Sequence, residues 1–208
     1  MILLNAPDSG PLASGFLENL KLLDAWLFLK INQEWNVPFL DSIFPWWRDQ
    51  NTWTPLYLFL FLFVVLNFGW RCVPWLLAIA LTTALTDQVS STLLKNWINR
   101  PRPCNDPFLM YYTRLLLSRC PSSGSFTSSH AANHFGAAVF FYLTLKPWFK
   151  KWGYLFFVWA ATVSYGQIYI GVHYPLDVIG GAVIGGLIGL ISARIFNRRW
   201  QMEIPVQE

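Results

Sequence analysis

The chain has 208 residues, of which 54% are hydrophobic and 12% charged, with a mean hydropathy of +0.37. Soluble domains carry about a quarter charged residues, so an ordinary soluble enzyme is excluded and the whole length reads as one membrane domain. The net charge of +4 does not point to nucleic acid, because the basic residues fall in short groups at the ends of apolar runs, as membrane topology demands.

Residues 1–50 form an N-terminal helical segment that is apolar but interrupted. Glu18, Lys21, Asp24, Lys30 and Glu34 make the stretch from Leu12 to Trp35 a poor spanning segment. Phe16, Leu20, Leu23, Leu27 and Ile31 recur at helical spacing and predict an amphipathic helix lying at the membrane interface. No basic start precedes a clean apolar core, so this is not a cleaved signal peptide. Val37 to Trp47 holds two prolines and four aromatics and reads as a second short interfacial piece.

Residues 51–198 carry the spans. Trp53 to Trp70 is uncharged and long enough to cross. Trp75 to Trp97 starts apolar and turns polar at Asp87, Gln88, Ser90, Ser91 and Lys95, which predicts that its second half faces the protein interior. Residues 98–127 form a polar loop with four prolines. Ser128 to Leu145, Trp152 to Val172 and Leu176 to Phe196 complete the set, and residues 199–208 form a tail. The predicted fold is all-α, a polytopic membrane helix bundle of about five transmembrane helices plus an N-terminal interfacial helix. Aromatics make up 18% of the chain and flank the runs as interfacial belts do. In the last span Gly181, Gly185 and Gly189 lie four apart, a spacing that lets helices approach closely.

Orientation follows from the short loops. Lys146, Lys150 and Lys151, and Arg194, Arg198 and Arg199, belong on the cytoplasmic side, as does Arg71. Lys95 to Thr127 and His173 to Pro175 then face the exterior or periplasm. That outer loop is itself basic, with Arg100, Arg102, Arg114 and Arg119, and binding an anion is one reason for cations on that side. Cys104 and Cys120 lie in this loop and are read either as a disulfide in an oxidising compartment or as two free thiols.

Three polar constellations sit at span ends. Lys95 and Arg102, with prolines at 101 and 103, suit a phosphate, as a mobile point charge and a planar fork; anchoring a helix end at the headgroups explains them equally well. Ser128, Ser129 and His130 open the third span, where free backbone N–H groups and the helix dipole favour an anion. Capping alone accounts for the serines, but a histidine at the top of a membrane helix marks a polar cavity. His134, one turn on, is read as a donor behind the site or a polar packing residue. His173 and Asp177 are the third: a carboxylate accepting from one ring nitrogen makes the other more nucleophilic, although an Asp at a helix N-terminus has its own rationale. Asp87, within a span, reads first as structural support, pairing with a basic residue or His134, and second as a proton relay.

Taken together, these residues resemble the type 2 phosphatidic acid phosphatase superfamily, membrane lipid phosphate phosphatases that share a site with vanadium-dependent haloperoxidases. The motif Lys-(six residues)-Arg-Pro stands at Lys95, Arg102 and Pro103. Pro-Ser-Gly-His is met loosely by Thr127-Ser128-Ser129-His130. Ser-Arg-(five)-His-(three)-Asp is met by Gly166-Gln167, His173 and Asp177. The likeness covers about residues 53–196. It implies a lipid phosphate or diphosphate phosphatase at the outer membrane face, acting on phosphatidic acid, phosphatidylglycerophosphate, polyprenyl diphosphate or lipid A phosphate. By position, His173 would form a phosphohistidine, Asp177 would orient it and His130 would protonate the leaving oxygen. Lys95, Arg102, Ser128, the backbone N–H of Ser129, and Gln167 would hold the phosphate. No metal or cofactor is expected, and the partners are the lipid substrate and membrane lipids. Gln167 departs from the family's arginine, and loss of such a charged donor costs a rate factor of about 100 to 1000. Arg114 or Arg119 are the candidates to compensate; the alternatives are a non-hydrolytic phospholipid-binding or transport protein, or a lipid phosphotransferase.

Overall fold

The computed structural model describes residues 15–200 and Met202. Leu12 to Ser14, which open the predicted interfacial helix, and most of the 199–208 tail lie outside the described residues. Those described fold into helices joined by loops, without strands. The helices are α1 (Phe16–Leu29), α2 (Pro38–Trp47), α3 (Thr54–Phe68), α4 (Cys72–Asp87), the single turn α5 (Lys95–Ile98), α6 (Ser129–Phe149), α7 (Leu155–Tyr169) and α8 (Pro175–Arg199). The predicted span from Trp75 to Trp97 is thus not one regular helix: α4 passes through a π-helical stretch, Gln88–Leu94, into α5. The helical segments within residues 50–111 and the helix Pro175–Arg199 include stretches long and apolar enough to cross a membrane.

The pairing of α6 with α8 sets the frame. A Cβ on Gly181 would lie 2.4 Å from the Ser128 carbonyl oxygen, on Gly185 2.0 Å from that of Ala132, and on Gly189 2.3 Å from that of Gly136. Three glycines at four-residue spacing therefore bring two parallel backbones into direct contact, as small residues do between membrane helices. The opposite face of α8 carries Ile179, Val183, Leu187, Ile191 and Ile195, all more than half exposed. An apolar stripe turned outward beside a glycine stripe turned inward is the pattern of a helix solvated by lipid.

Around this pair, α4 and α7 run towards the ends where α6 and α8 begin. An aromatic core fills the other half of the bundle, with Trp75 stacked near Phe140 and Phe141 and its indole N–H donating to Thr144 Oγ1 at 2.9 Å. The bundle ends opposite those helix starts are basic: Arg71, Arg194, Arg198 and Arg199 line one surface recess with Trp200, and Lys146, Lys150 and Lys151 line another.

The N-terminal segment also packs against the bundle, through residues that apolar periodicity does not mark. The buried side of α1 comprises Asp24 and Phe28, with Ile31 following in a π-helical turn, whereas Phe16 and Leu23 are exposed. Asp24 turns inward because it has partners: its Oδ1 accepts from the Leu176 N–H at the start of α8 (2.8 Å) and its Oδ2 from Arg100 (2.7 Å). Nor is α2 merely interfacial. Phe44 packs against Gly166 and Tyr169 of α7, and the Trp47 indole donates to Thr162 Oγ1 at 3.0 Å. The outer loop is fastened by Asn32, whose amide donates to the carbonyls of Arg114 and Tyr169 and accepts from the Arg114 N–H, and by a Cys104–Cys120 disulfide.

The glycine contacts make a paired prediction. Gly185→Ala places a methyl inside a backbone carbonyl and should cost about 1–3 kcal/mol of stability or prevent folding. Gly186→Ala meets only Val139, at 3.9 Å, and should be neutral or stabilise by up to ~1 kcal/mol. Thermal unfolding of the two variants in detergent, followed by tryptophan fluorescence, checks the contrast.

Candidate active site

The site forms where four chain segments end together. Ser128 caps α6, its hydroxyl accepting from the Ala131 N–H, and its own N–H donates to the Asp177 carbonyl at 3.0 Å. The starts of α6 and α8 are thereby locked to each other, and their unpaired N–H groups open in one place. Lys95 arrives at the head of α5, Arg102 from the loop after it, and His173 from the short connection between α7 and α8. That connection turns at Gly171, whose φ of +92° and approach to the Arg114 carbonyl (2.8 Å from an added Cβ) leave room for no side chain. The Gln167 carbonyl accepts from the N–H groups of Val172 and His173 and completes the turn.

His173 is buried, and its two nitrogens have different surroundings. Nε2 lies 3.1 Å from Arg102 Nη1, so Nε2 is the acceptor and Nδ1 carries the proton. Nδ1 is 3.4 Å from Ser125 Oγ and 3.5 Å from Asp177 Oδ2, and Ser125 Oγ donates to the same carboxylate oxygen at 2.5 Å. Burial, reinforced by the charge of Arg102 and opposed by the Asp177 hydrogen bond, pushes the His173 imidazole down to about 4. At neutral pH it is uncharged, with a lone pair on Nε2 directed at a guanidinium.

Asp177 combines both expected roles. Its Oδ2 accepts from the Tyr174 N–H at 2.8 Å, capping α8, while Oδ1 accepts from Arg100 at 2.9 Å. Arg100, one of the four loop arginines, thus has a fixed place. It bridges Asp24 and Asp177 and lies 3.8 Å from the centre of the Tyr174 ring. Lys95 and Arg102 are buried and have no carboxylate partner among the described residues. Arg102 is held by the Ser123 carbonyl and hydroxyl and the Val172 carbonyl.

The remaining predicted residues divide. Ser129 Oγ is 2.8 Å from Ser91 Oγ, which donates to Asp87 Oδ1 at 2.9 Å. Asp87 also accepts from Asn133, and pairs with neither a basic residue nor His134. It ties α4 to the start of α6. His134 stands apart: its Nδ1 donates to the His130 carbonyl at 2.8 Å and its ring packs 4.7 Å from Trp159. Gln167 is fully buried, with Oε1 accepting from Arg48 Nε at 3.2 Å. Neither loop arginine hydrogen-bonds to it: Arg114 is paired to Asp41 at 2.6 Å, and Arg119 makes no ion pair among the described residues. Arg48 also places Nη2 3.5 Å from His130 Nε2. Beside His130 opens a cavity of about 360 Å³, lined by Tyr57, Thr83, Asp87, Asn133, His134 and Trp159 among others.

The sequence reading missed Arg48, Arg100, Ser125 and Asp24. Only Asp24 left a signal, as a carboxylate on a helix too apolar to need one. The other three depend on pairings between distant segments.

A family model described as the PAP2 superfamily matches residues 71–201. The chain belongs to the PAP2 superfamily. Among curated PAP2 relatives, a protein of Bacteroides thetaiotaomicron named lipid A 4'-phosphatase is 34% identical over 91% of this chain and 85% of its own. Another of that name, from Porphyromonas gingivalis, is 27% identical over 84% of this chain and 74% of its own. Among solved structures, Aquifex aeolicus LpxE is 31% identical and superposes with a TM-score of 0.59 over 83% of this chain and 95% of its own.

Two outcomes follow from this PAP2 site. Arg100→Gln leaves two buried carboxylates facing each other and should cost roughly 2 kcal/mol, less than the ~3–5 of a fully buried pair because Arg100 is partly exposed. Asp24→Asn in the same chain should recover part of that loss in thermal unfolding. The lowered His173 value also sets a sign. The unfolded chain binds a proton near pH 6.5 that the folded chain refuses until about 4. Stability present above pH 6.5 is thus lost as the pH falls through that window, and His173→Gln should show a smaller drop in thermal midpoint between pH 7 and pH 4.5.

Proposed function

We propose that this PAP2 protein hydrolyses a phosphate monoester on a membrane glycolipid of the lipid A type, through a phosphohistidine on His173. The observation that carries the reading is the pairing of a neutral imidazole, backed by Ser125 and Asp177, with two buried cations that have no carboxylate partner among the described residues. Buried cations of this kind are costly until an anion completes them, and a phosphate fits a fork, a point charge and a helix N-terminus.

In the first step His173 Nε2 attacks phosphorus as the ester P–O bond breaks, and His130 gives its proton to the departing oxygen. Lys95, Arg102, the Ser128 hydroxyl and the Ser129 N–H hold the phosphoryl oxygens while charge redistributes. In the second, a water attacks phosphorus, returns a proton to His130, and the N–P bond breaks to release inorganic phosphate. The cavity beside His130 lies on the leaving-group side and suits the sugar that carried the phosphate. The lipid chains remain in the bilayer against the outward apolar faces.

For the membrane arrangement, α3, α4 with α5, α6, α7 and α8 are the five crossings, and α1 lies at the outer surface. The arginines and lysines gathered at the end opposite the site support an active centre on the exterior or periplasmic side, by the positive-inside rule. The relatives named lipid A 4'-phosphatase favour that lipid among the candidates.

Phosphate release by the purified protein in detergent with EDTA tests this. The wild type should release phosphate from lipid A faster than from phosphatidic acid or polyprenyl diphosphate, and His173→Ala should fall by at least about 10⁴-fold, towards background. Absence of release from every lipid, or equal release by the variant, would sink the proposal.

A further inference from the structure

Arg48 is the feature that the mechanism above leaves unused. It caps the C-terminus of α2, and its side chain reaches in between Gln167 and His130. Two of its five donors are accounted for there. No carboxylate pairs with it among the described residues, since Asp49 instead accepts from the Asn51 N–H. Its charge is close enough to act on Arg102. A partly buried guanidinium beside two other unpaired cations is poorly satisfied in the empty site.

The fold takes trouble to hold it there. Phe44, one turn before Arg48, presses on α7 at Gly166, where an added Cβ would lie 2.9 Å from Cδ1 of its ring. The Phe44 ring sits 4.8 Å from that of Tyr169, whose hydroxyl donates to Asp41 at 2.6 Å. Trp47, the residue next to Arg48, is bonded to Thr162. Gly166 and Gln167 occupy the positions where the family motif has Ser-Arg. In this chain the first admits the Phe44 ring and the second accepts from the arginine that Phe44 positions. Two departures from one motif thus have one structural explanation.

We propose that Arg48 is a phosphate-binding residue of this site, a guanidinium delivered by α2 to a phosphoryl oxygen in place of the arginine missing at position 167. The proposal rests on the phosphatase reading and deepens it. Arg48 donates from the His130 side and Arg102 from the His173 side, so the phosphoryl group lies between two guanidiniums. Their planar donors match its equatorial oxygens, and their charge offsets what develops there during transfer.

Moving the charge tests this. Arg48→Ala should lower kcat/KM for phosphate release by about 100 to 1000-fold, and Arg48→Lys should fall between it and the wild type. The variant Arg48→Ala/Gln167→Arg should recover at least about tenfold over Arg48→Ala alone, an effect that a merely structural anchor for α2 would not produce. Orthovanadate, a phosphate mimic, should raise the thermal midpoint of the wild type and raise that of Arg48→Ala much less. Activity of Arg48→Ala within about threefold of wild type, an equal vanadate shift, or no recovery in the double variant overturns the role of Arg48. The same assay with His173→Ala separates the two ideas. Release that depends on His173 but not on Arg48 removes only this inference, whereas release independent of both removes the phosphatase reading itself.

Discussion

The structure depends on an imbalance of buried charge. Arg100 is the satisfied cation of the site, clasped between Asp24 and Asp177. Lys95, Arg102 and Arg48 have no such partner among the described residues. In a site shielded from water, that arrangement is tolerable only because backbone carbonyls and neutral side chains hold the guanidiniums at a distance from one another. The same carbonyls and side chains keep the site preorganised for a multiply charged anion. Little rearrangement is then needed when one arrives, and this is where electrostatic catalysis draws its advantage.

Preorganisation of that kind needs a rigid frame. The glycine contacts between α6 and α8 supply it, because backbone against backbone leaves no side-chain freedom through which the helix starts could drift. The Ser128–Asp177 backbone hydrogen bond then locks the two N-termini together. His130 and Asp177 stand a few residues into those helices, so their positions are set by helix packing and not by loop conformation. Of these three, His173 sits on a loop, and it is pinned by Arg102, Ser125 and the Gln167 carbonyl.

Much of this was legible in the residues. The three motifs, their order and the helical class could be read because each is a local pattern: hydrophobic periodicity, glycine spacing, and polar residues where an apolar run starts. What escaped was whatever joins segments far apart. Arg100 looked like one more cation of a basic loop because its carboxylates are 76 and 77 positions away. Arg48 stood among prolines and tryptophans with nothing to mark its destination, 119 positions on at Gln167. The inward side of α1 was not legible for the same reason, since periodicity counts apolar residues and cannot foresee that a carboxylate will be turned inward by a distant arginine. Asp87 shows the converse, an exposed carboxylate held by one hydroxyl and one amide with no cation paired to it among the described residues.

The clasp formed by Asp24 also has a temporal side. Its two partners follow it by 76 and 152 positions, and the second is the first turn of the last helix. During synthesis α1 emerges early, and its carboxylate stays without both partners until residue 176 has been delivered. The bundle can be inserted helix by helix, but the pocket is not closed on that side before α8 is in place. Assembly of the competent site is therefore a terminal event, and a partly inserted chain does not present a finished phosphate trap to the anionic lipids around it.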